Sequence, residues 1–185
     1  MTTPASQSQD PDIRSVSNVM EVDAWTGERM KKQSEVRGFT IMCDEREPNG
    51  DNTAPPPLAY FASSILFWEM TQLERYAQMM KINLGEVKAH IAYGFGAQGS
   101  VLAQTVQARC EKLEIHYDIE STDQPAKIAG LIRNARNGCY VRQTIGHPEL
   151  FLDTINLNGQ PFNPEDYPPP KKGGWHESAE AEAVS

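Results

Sequence analysis

The segment from Leu58 to Met80 contains neither glycine nor proline, and it follows a run of turn-forming residues, Glu47-Pro48-Asn49-Gly50-Asp51-Asn52-Thr53-Ala54-Pro55-Pro56-Pro57. Prolines suit the first turn of a helix, and nothing beyond them breaks one, so the segment predicts one long helix. Its first half, Phe61-Ala62-Ser63-Ser64-Ile65-Leu66-Phe67-Trp68-Glu69-Met70, is apolar on nearly every side. Its second half carries a single stripe of Met70, Leu73, Ala77 and Met80. A helix apolar all round is buried and a striped one lies at a surface, so this helix should thread the core and emerge at one end.

The remaining elements must pack around it. Val16 to Ala24 and Met30 to Val36 flank a turn at Trp25-Thr26-Gly27-Glu28, and Phe39 to Cys43 alternates at period two, which together predict an N-terminal antiparallel meander. Val87, Ala89 and Ile91 alternate with Lys88, His90 and Ala92. Leu113, Ile115, Tyr117 and Ile119 alternate with charged or polar residues in the same way, so two half-buried strands are expected. Pro125 to Gly138 reads as a second helix with Ile128, Leu131, Ile132 and Ala135 inward, and a last strand is expected near Leu150 to Leu157. The class is α+β. Residues 1–12 and 163–185 are polar, proline-containing or low in complexity and read as poorly ordered tails, leaving 13–162 as one folded domain.

A net charge of −8 argues against nucleic-acid binding and against an anionic membrane surface, because both need concentrated cations. No apolar run is long enough for a membrane span, and the N-terminus lacks the pattern of a signal peptide, so a cytoplasmic location is expected. Cys43, Cys110 and Cys139 are too few and too widely spaced for a disulfide framework or a zinc knuckle, and they read as reduced thiols. His90 and His116 fall on polar strand faces. A sheet could bring them together, but two imidazoles without a third ligand make a poor metal site, and no cofactor is expected. His147 reads as a turn residue, and Asp51 and Asn52 as caps of a loop turn. Gly94-Phe95-Gly96-Ala97-Gln98-Gly99 matches the spacing of a dinucleotide fingerprint. The strand before it is polar on alternate positions and the upstream chain is not βαβ, so a glycine-rich connection between antiparallel strands is the better reading.

Several pieces occur together: the strand meander, the Gly50-Asp51-Asn52-Thr53-Ala54-Pro55-Pro56-Pro57 loop and the helix carrying Phe67-Trp68-Glu69-Met70-Thr71-Gln72-Leu73-Glu74-Arg75-Tyr76-Ala77. A strand opening at Lys81-Ile82-Asn83-Leu84 and a second helix leading into Cys139-Tyr140-Val141 follow them. From about Val22 to Leu157 the chain resembles the OsmC/Ohr superfamily of osmotically inducible and organic hydroperoxide resistance proteins. The resemblance implies an intertwined homodimer whose long helices lie back to back, with active sites at the dimer interface. It also implies thiol peroxidase chemistry: a buried-helix cysteine attacks an organic hydroperoxide, an arginine and a glutamate hold its thiolate, and a second cysteine resolves the product. By that correspondence the attacking cysteine falls on Trp68, the glutamate on Leu58, the arginine on Arg29 and the resolving cysteine on Cys139.

An indole is no nucleophile, so the resemblance implies a divergent member without the usual cycle. Leu58, Phe61, Ser64, Ile65, Trp68 and Gln72 would then line an interface pocket for a small apolar organic molecule, with Trp68 as an aromatic wall. Trp68 reads equally well as a core filler, and Ser64 as a hydroxyl bonded back to its own turn. Three functions stay open. One is binding, with or without hydrolysis or isomerisation assisted by Arg29, Ser64, Gln72 or Asp51. The second is a residual thiol reductase using Cys139, and the third is a non-catalytic structural or partner-binding dimer.

Overall fold

The computed structural model describes residues 17–146 and 151–167. The chain divides between Pro57 and Leu58 into two compact units. The first holds an antiparallel meander of β1 (Asp23–Thr26), β2 (Lys32–Val36) and β3 (Phe39–Cys43). The meander expected from the sequence is present, with β1 shifted toward the C-terminus. Trp25 and Thr26 are paired with Gln33 and Lys32 instead of turning, and the reversal falls on the next residues, where Gly27 N–H bonds to the Lys31 carbonyl. Arg29 and Met30 take the left-handed backbone conformation there, with φ of 47° and 66°.

After β3 the chain winds around one carboxylate. Asp44 has no exposed surface. It accepts hydrogen bonds from the N–H groups of Glu45, Asp51 and Thr53 and from the Thr53 hydroxyl. Those donors, the Thr53 N–H foremost, hold its carboxyl well below the ordinary carboxylate range. Gly50 is obligatory in this loop, since a Cβ there would overlap the Glu45 carbonyl and the Asp44 carboxylate.

The second unit is built on α1 (Pro57–Met80), the long helix that the sequence predicts. Its buried residues are Ile65, Glu69, Gln72, Leu73 and Ala77, which form one stripe at spacings of three and four. The first half is therefore not buried all round: Leu58 is 39% and Phe67 69% exposed. Beside the helix lies a sheet ordered β4 (Leu84–Gln98), β5 (Gln107–Ser121), β6 (Phe151–Leu157), β7 (Gln160–Pro161), in which β5 and β6 run parallel and the other pairs antiparallel. Leu113, Ile115, Tyr117 and Ile119 of β5 point into the core as their alternation requires. One extra residue, Glu111, lies unpaired where the register shifts between Gly94 and Phe95. The bulge turns Cys110 onto the inner side, opposite Phe95.

Between β5 and β6 come α2 (Pro125–Asn137), with Ile128, Leu131, Ile132 and Ala135 buried as expected, and a short α3 (Tyr140–Ile145) that the sequence pattern does not announce. Gly138, between them, has φ −85°, so the left-handed conformation does not explain the glycine. Closeness does: a Cβ at this position would overlap the Tyr76 hydroxyl. Gly94 and Gly96 lie inside β4, paired antiparallel with β5, so the glycine run is a strand and not a flexible connection, and it is no dinucleotide loop. A 3-10 turn, Pro164–Asp166, lies in the segment read as a tail and is tied to α2 by Arg133 Nη1 to the Pro164 carbonyl at 2.7 Å. The N-terminal tail, His147 and residues 168–185 lie outside the described residues. No helix among them is long and apolar enough to cross a membrane.

Candidate functional site

Trp68 lies on the α1 row that also carries Leu58, Phe61, Ile65 and Gln72. Ile65 is in the core with no exposed surface, and Phe61 packs on Tyr93 of β4 with ring centroids 5.4 Å apart. The half-buried Trp68 is fixed by two contacts: its indole N–H donates to the Gly138 carbonyl at 3.3 Å, and its ring lies 5.4 Å from that of Tyr140. The Tyr140 ring is on the surface, 57% exposed. Ser64 donates to the Phe61 carbonyl at 2.7 Å, the back-bond usual for a helical serine, which engages its hydroxyl in its own turn. Gln72 is 2% exposed, and its Oε1 has no hydrogen-bond partner among the described residues.

Cys139 is fully buried and caps α3, its sulfur accepting from the Arg142 N–H at 3.4 Å. Burial pushes its thiol pKa up, outweighing that bond, so the thiolate needed for nucleophilic chemistry is disfavoured. Burial raises Cys110 in the same direction. No disulfide joins the cysteines.

Beneath Trp68 and Cys139 lies a buried charge network that the sequence reading missed. Arg142 of α3 takes both oxygens of Asp153 on β6, at 2.9 and 2.6 Å, while its Nε faces Glu69 Oε1 at 2.7 Å. Arg136 of α2 reaches Asp153 Oδ2 at 2.9 Å, and the Tyr117 hydroxyl donates to Glu69 Oε2. Glu69 and Asp153 are 3% and 9% exposed. Among the described residues, two cations thus meet two anions, the pairing that buried charges require. Burial still raises the Glu69 carboxyl and, with the adjoining Glu69, the Tyr117 phenol. The Asp153 and Glu69 carboxylates keep Arg142 charged despite its burial. A cavity of about 10 Å³, the size of one water, lies between Glu69, Tyr117, Arg136 and the surrounding aliphatic residues. One signal was available in the sequence: Glu69 sits four residues from both Ile65 and Leu73, on the buried stripe itself.

Other residues with possible chemistry are occupied elsewhere. In the first unit Arg29 and Lys31 both bind the Asp51 carboxylate, at 2.9 and 2.7 Å, and Arg29 is 59% exposed. His90 and His116 are paired across β4 and β5. The His116 ring nitrogens are taken up by Thr154 at 2.6 Å and Asp118 at 3.3 Å, on the side of β6. Among the described residues no group of three histidine, cysteine or acidic side chains is arranged to hold a metal. A polar concavity of about 410 Å³ is lined by Asn83, Gly85, Glu120, Ser121, Thr122 and Asn158, and the Asn83, Ser121 and Asn158 side chains in it are engaged with Thr122 Oγ1 and with the Asn83 and Ser121 backbone.

No curated protein matches the chain. Solved structures do. An OsmC-like protein from Mycoplasma pneumoniae matches with a TM-score of 0.63 at 15% identity, over 77% of this chain and 98% of its own. An organic hydroperoxide resistance protein OsmC from Legionella pneumophila gives 0.53 at 16%, over 77% and 98%. One from Elizabethkingia anophelis gives 0.55 at 16%, over 78% and 98%. These likenesses establish a shared fold. The family model for OsmC-like proteins matches residues 50–152, from the Gly50 loop into β6 and over more than half of the chain. The chain belongs to the OsmC-like family.

Proposed function

We propose that this OsmC-like protein binds a small apolar organic molecule against Trp68 and Tyr140, in a pocket completed by a second copy of the chain, and does not run a thiol-peroxidase cycle. The observation that carries this reading is the fixed aromatic pair: an indole locked by the Gly138 carbonyl beside a surface tyrosine ring, at the position where the resemblance places the attacking cysteine. Flat rings with defined edges offer an apolar ligand a large contact area at little entropic cost. The Cys139 thiol is buried and its pKa raised, which speaks against a reductase built on that residue alone.

A second copy is supported by the apolar surface left over. In the meander Trp25, Phe39 and Met42 are 46%, 70% and 45% exposed, and β1 is exposed along its whole length. A three-stranded sheet gains its stability by covering a face. Calorimetric titration with 2-naphthol and naphthalene tests the reading. Saturable binding is expected in the native protein, with affinity lower by about tenfold or more in Trp68→Ala, in line with the loss of a large aromatic contact. Absence of binding, or equal binding by the variant, would contradict it.

A further inference from the structure

Two buried atoms of the charge network make no hydrogen bond among the described residues, and both belong to side chains that wall one cavity. Arg136 Nε lies 2.9 Å from Asp153 Oδ2, yet it is not hydrogen-bonded. An ion pair needs only closeness, whereas a hydrogen bond needs the proton to point along the line between the heavy atoms. The charge of Arg136 is therefore paired and its Nε proton is not. Glu69 Oε1 is likewise buried without a hydrogen bond, while Glu69 Oε2 accepts from the Tyr117 hydroxyl. An unmade bond at a buried charged group is among the costlier defects a fold can carry.

Glu69, Tyr117 and Arg136 wall the cavity of about 10 Å³ together with aliphatic side chains such as Ile132 and Ala135. A wholly apolar void stays dry, but one of this size with two to four polar groups around it can hold a water. The lining also narrows the occupant. The Glu69 carboxylate repels an anion, and the Arg136 N–H repels a metal cation. What fits is a neutral molecule no larger than water that both donates and accepts.

We propose that this cavity is a binding site for one structural water, which accepts from Arg136 Nε–H and donates to the Glu69 carboxylate and to the Tyr117 hydroxyl oxygen. Three hydrogen bonds are usual for a buried water. The three partners stand on α2, α1 and β5, so the water cross-links the two longer helices of the second unit to the middle of its sheet.

The test is carbon-edited NOESY and ROESY spectroscopy of the full chain labelled at its alanine and isoleucine methyls, which do not exchange protons with solvent. A water held for longer than the molecule takes to tumble gives cross peaks from the Ala135 and Ile132 methyls at the water frequency, opposite in sign between the two experiments. Passing surface water does not. The peaks are expected in the native protein and in Tyr117→Phe, where no phenol proton can relay them and two of the three bonds remain. They should be lost in Arg136→Lys, which keeps a cation for Asp153 but places a methylene where Nε–H stood. Absence of the peaks from the native protein, their loss in Tyr117→Phe, or their persistence in Arg136→Lys would overturn the site. A crystal structure of the native protein decides the point without any variant: an oxygen peak within hydrogen-bond reach of Arg136 Nε and Glu69 is expected, and an empty cavity contradicts it.

Discussion

Arg142 concentrates the energetics of the second unit in one side chain, since it bridges α3, α1 and β6 and is 12% exposed. Removing the charge in Arg142→Met leaves Glu69 and Asp153 buried with one cation between them, and the expected cost is about 3–5 kcal/mol in urea unfolding. Tyr117→Phe takes away the hydroxyl on Glu69 Oε2 and should cost about 1–3 kcal/mol by the same measurement. Gly138 gives a different kind of prediction. In Gly138→Ala the new methyl meets the Tyr76 hydroxyl, so overpacking should destabilise by about 1–3 kcal/mol, although φ at this position is ordinary for alanine.

Elements were more legible in the sequence than the site they build. The absence of glycine and proline from Leu58 to Met80 announces α1, and strict alternation announces the inner face of β5. α3 escaped because six residues carry too little periodicity to register, and β1 was displaced because a Trp-Thr-Gly-Glu run reads as a turn while its first two residues pair in the sheet. The charge network was illegible for a different reason: Glu69, Tyr117, Arg136, Arg142 and Asp153 come from five elements, and no local spacing joins them. The Gly50 loop shows how one element stores acid sensitivity. Asp44 holds its proton less tightly folded than unfolded, so its contribution to stability is complete above the ordinary value of 3.8 and is lost as the pH falls below it. Urea midpoints should therefore drop below about pH 4 in the native protein, and Asp44→Asn should lower stability at pH 7 while flattening that acid limb.

At the scale of the whole molecule, the exposed apolar residues of each unit, such as Phe39 in the meander and Phe67 on α1, are the surface that the proposed second copy would cover. Sedimentation equilibrium should give twice the 20.6 kDa of one chain, with a monomer at micromolar concentration as the contrary result. On the proposed reading, a dimer with an indole where the resemblance places the nucleophile would keep the OsmC-like fold and give up the thiol chemistry that the resemblance implies. The direct measurement is the titre of cumene hydroperoxide incubated with the protein and excess dithiothreitol, beside Cys139→Ser. The account predicts equal, background-level loss of hydroperoxide in both. Consumption by the native protein that disappears in Cys139→Ser would contradict it.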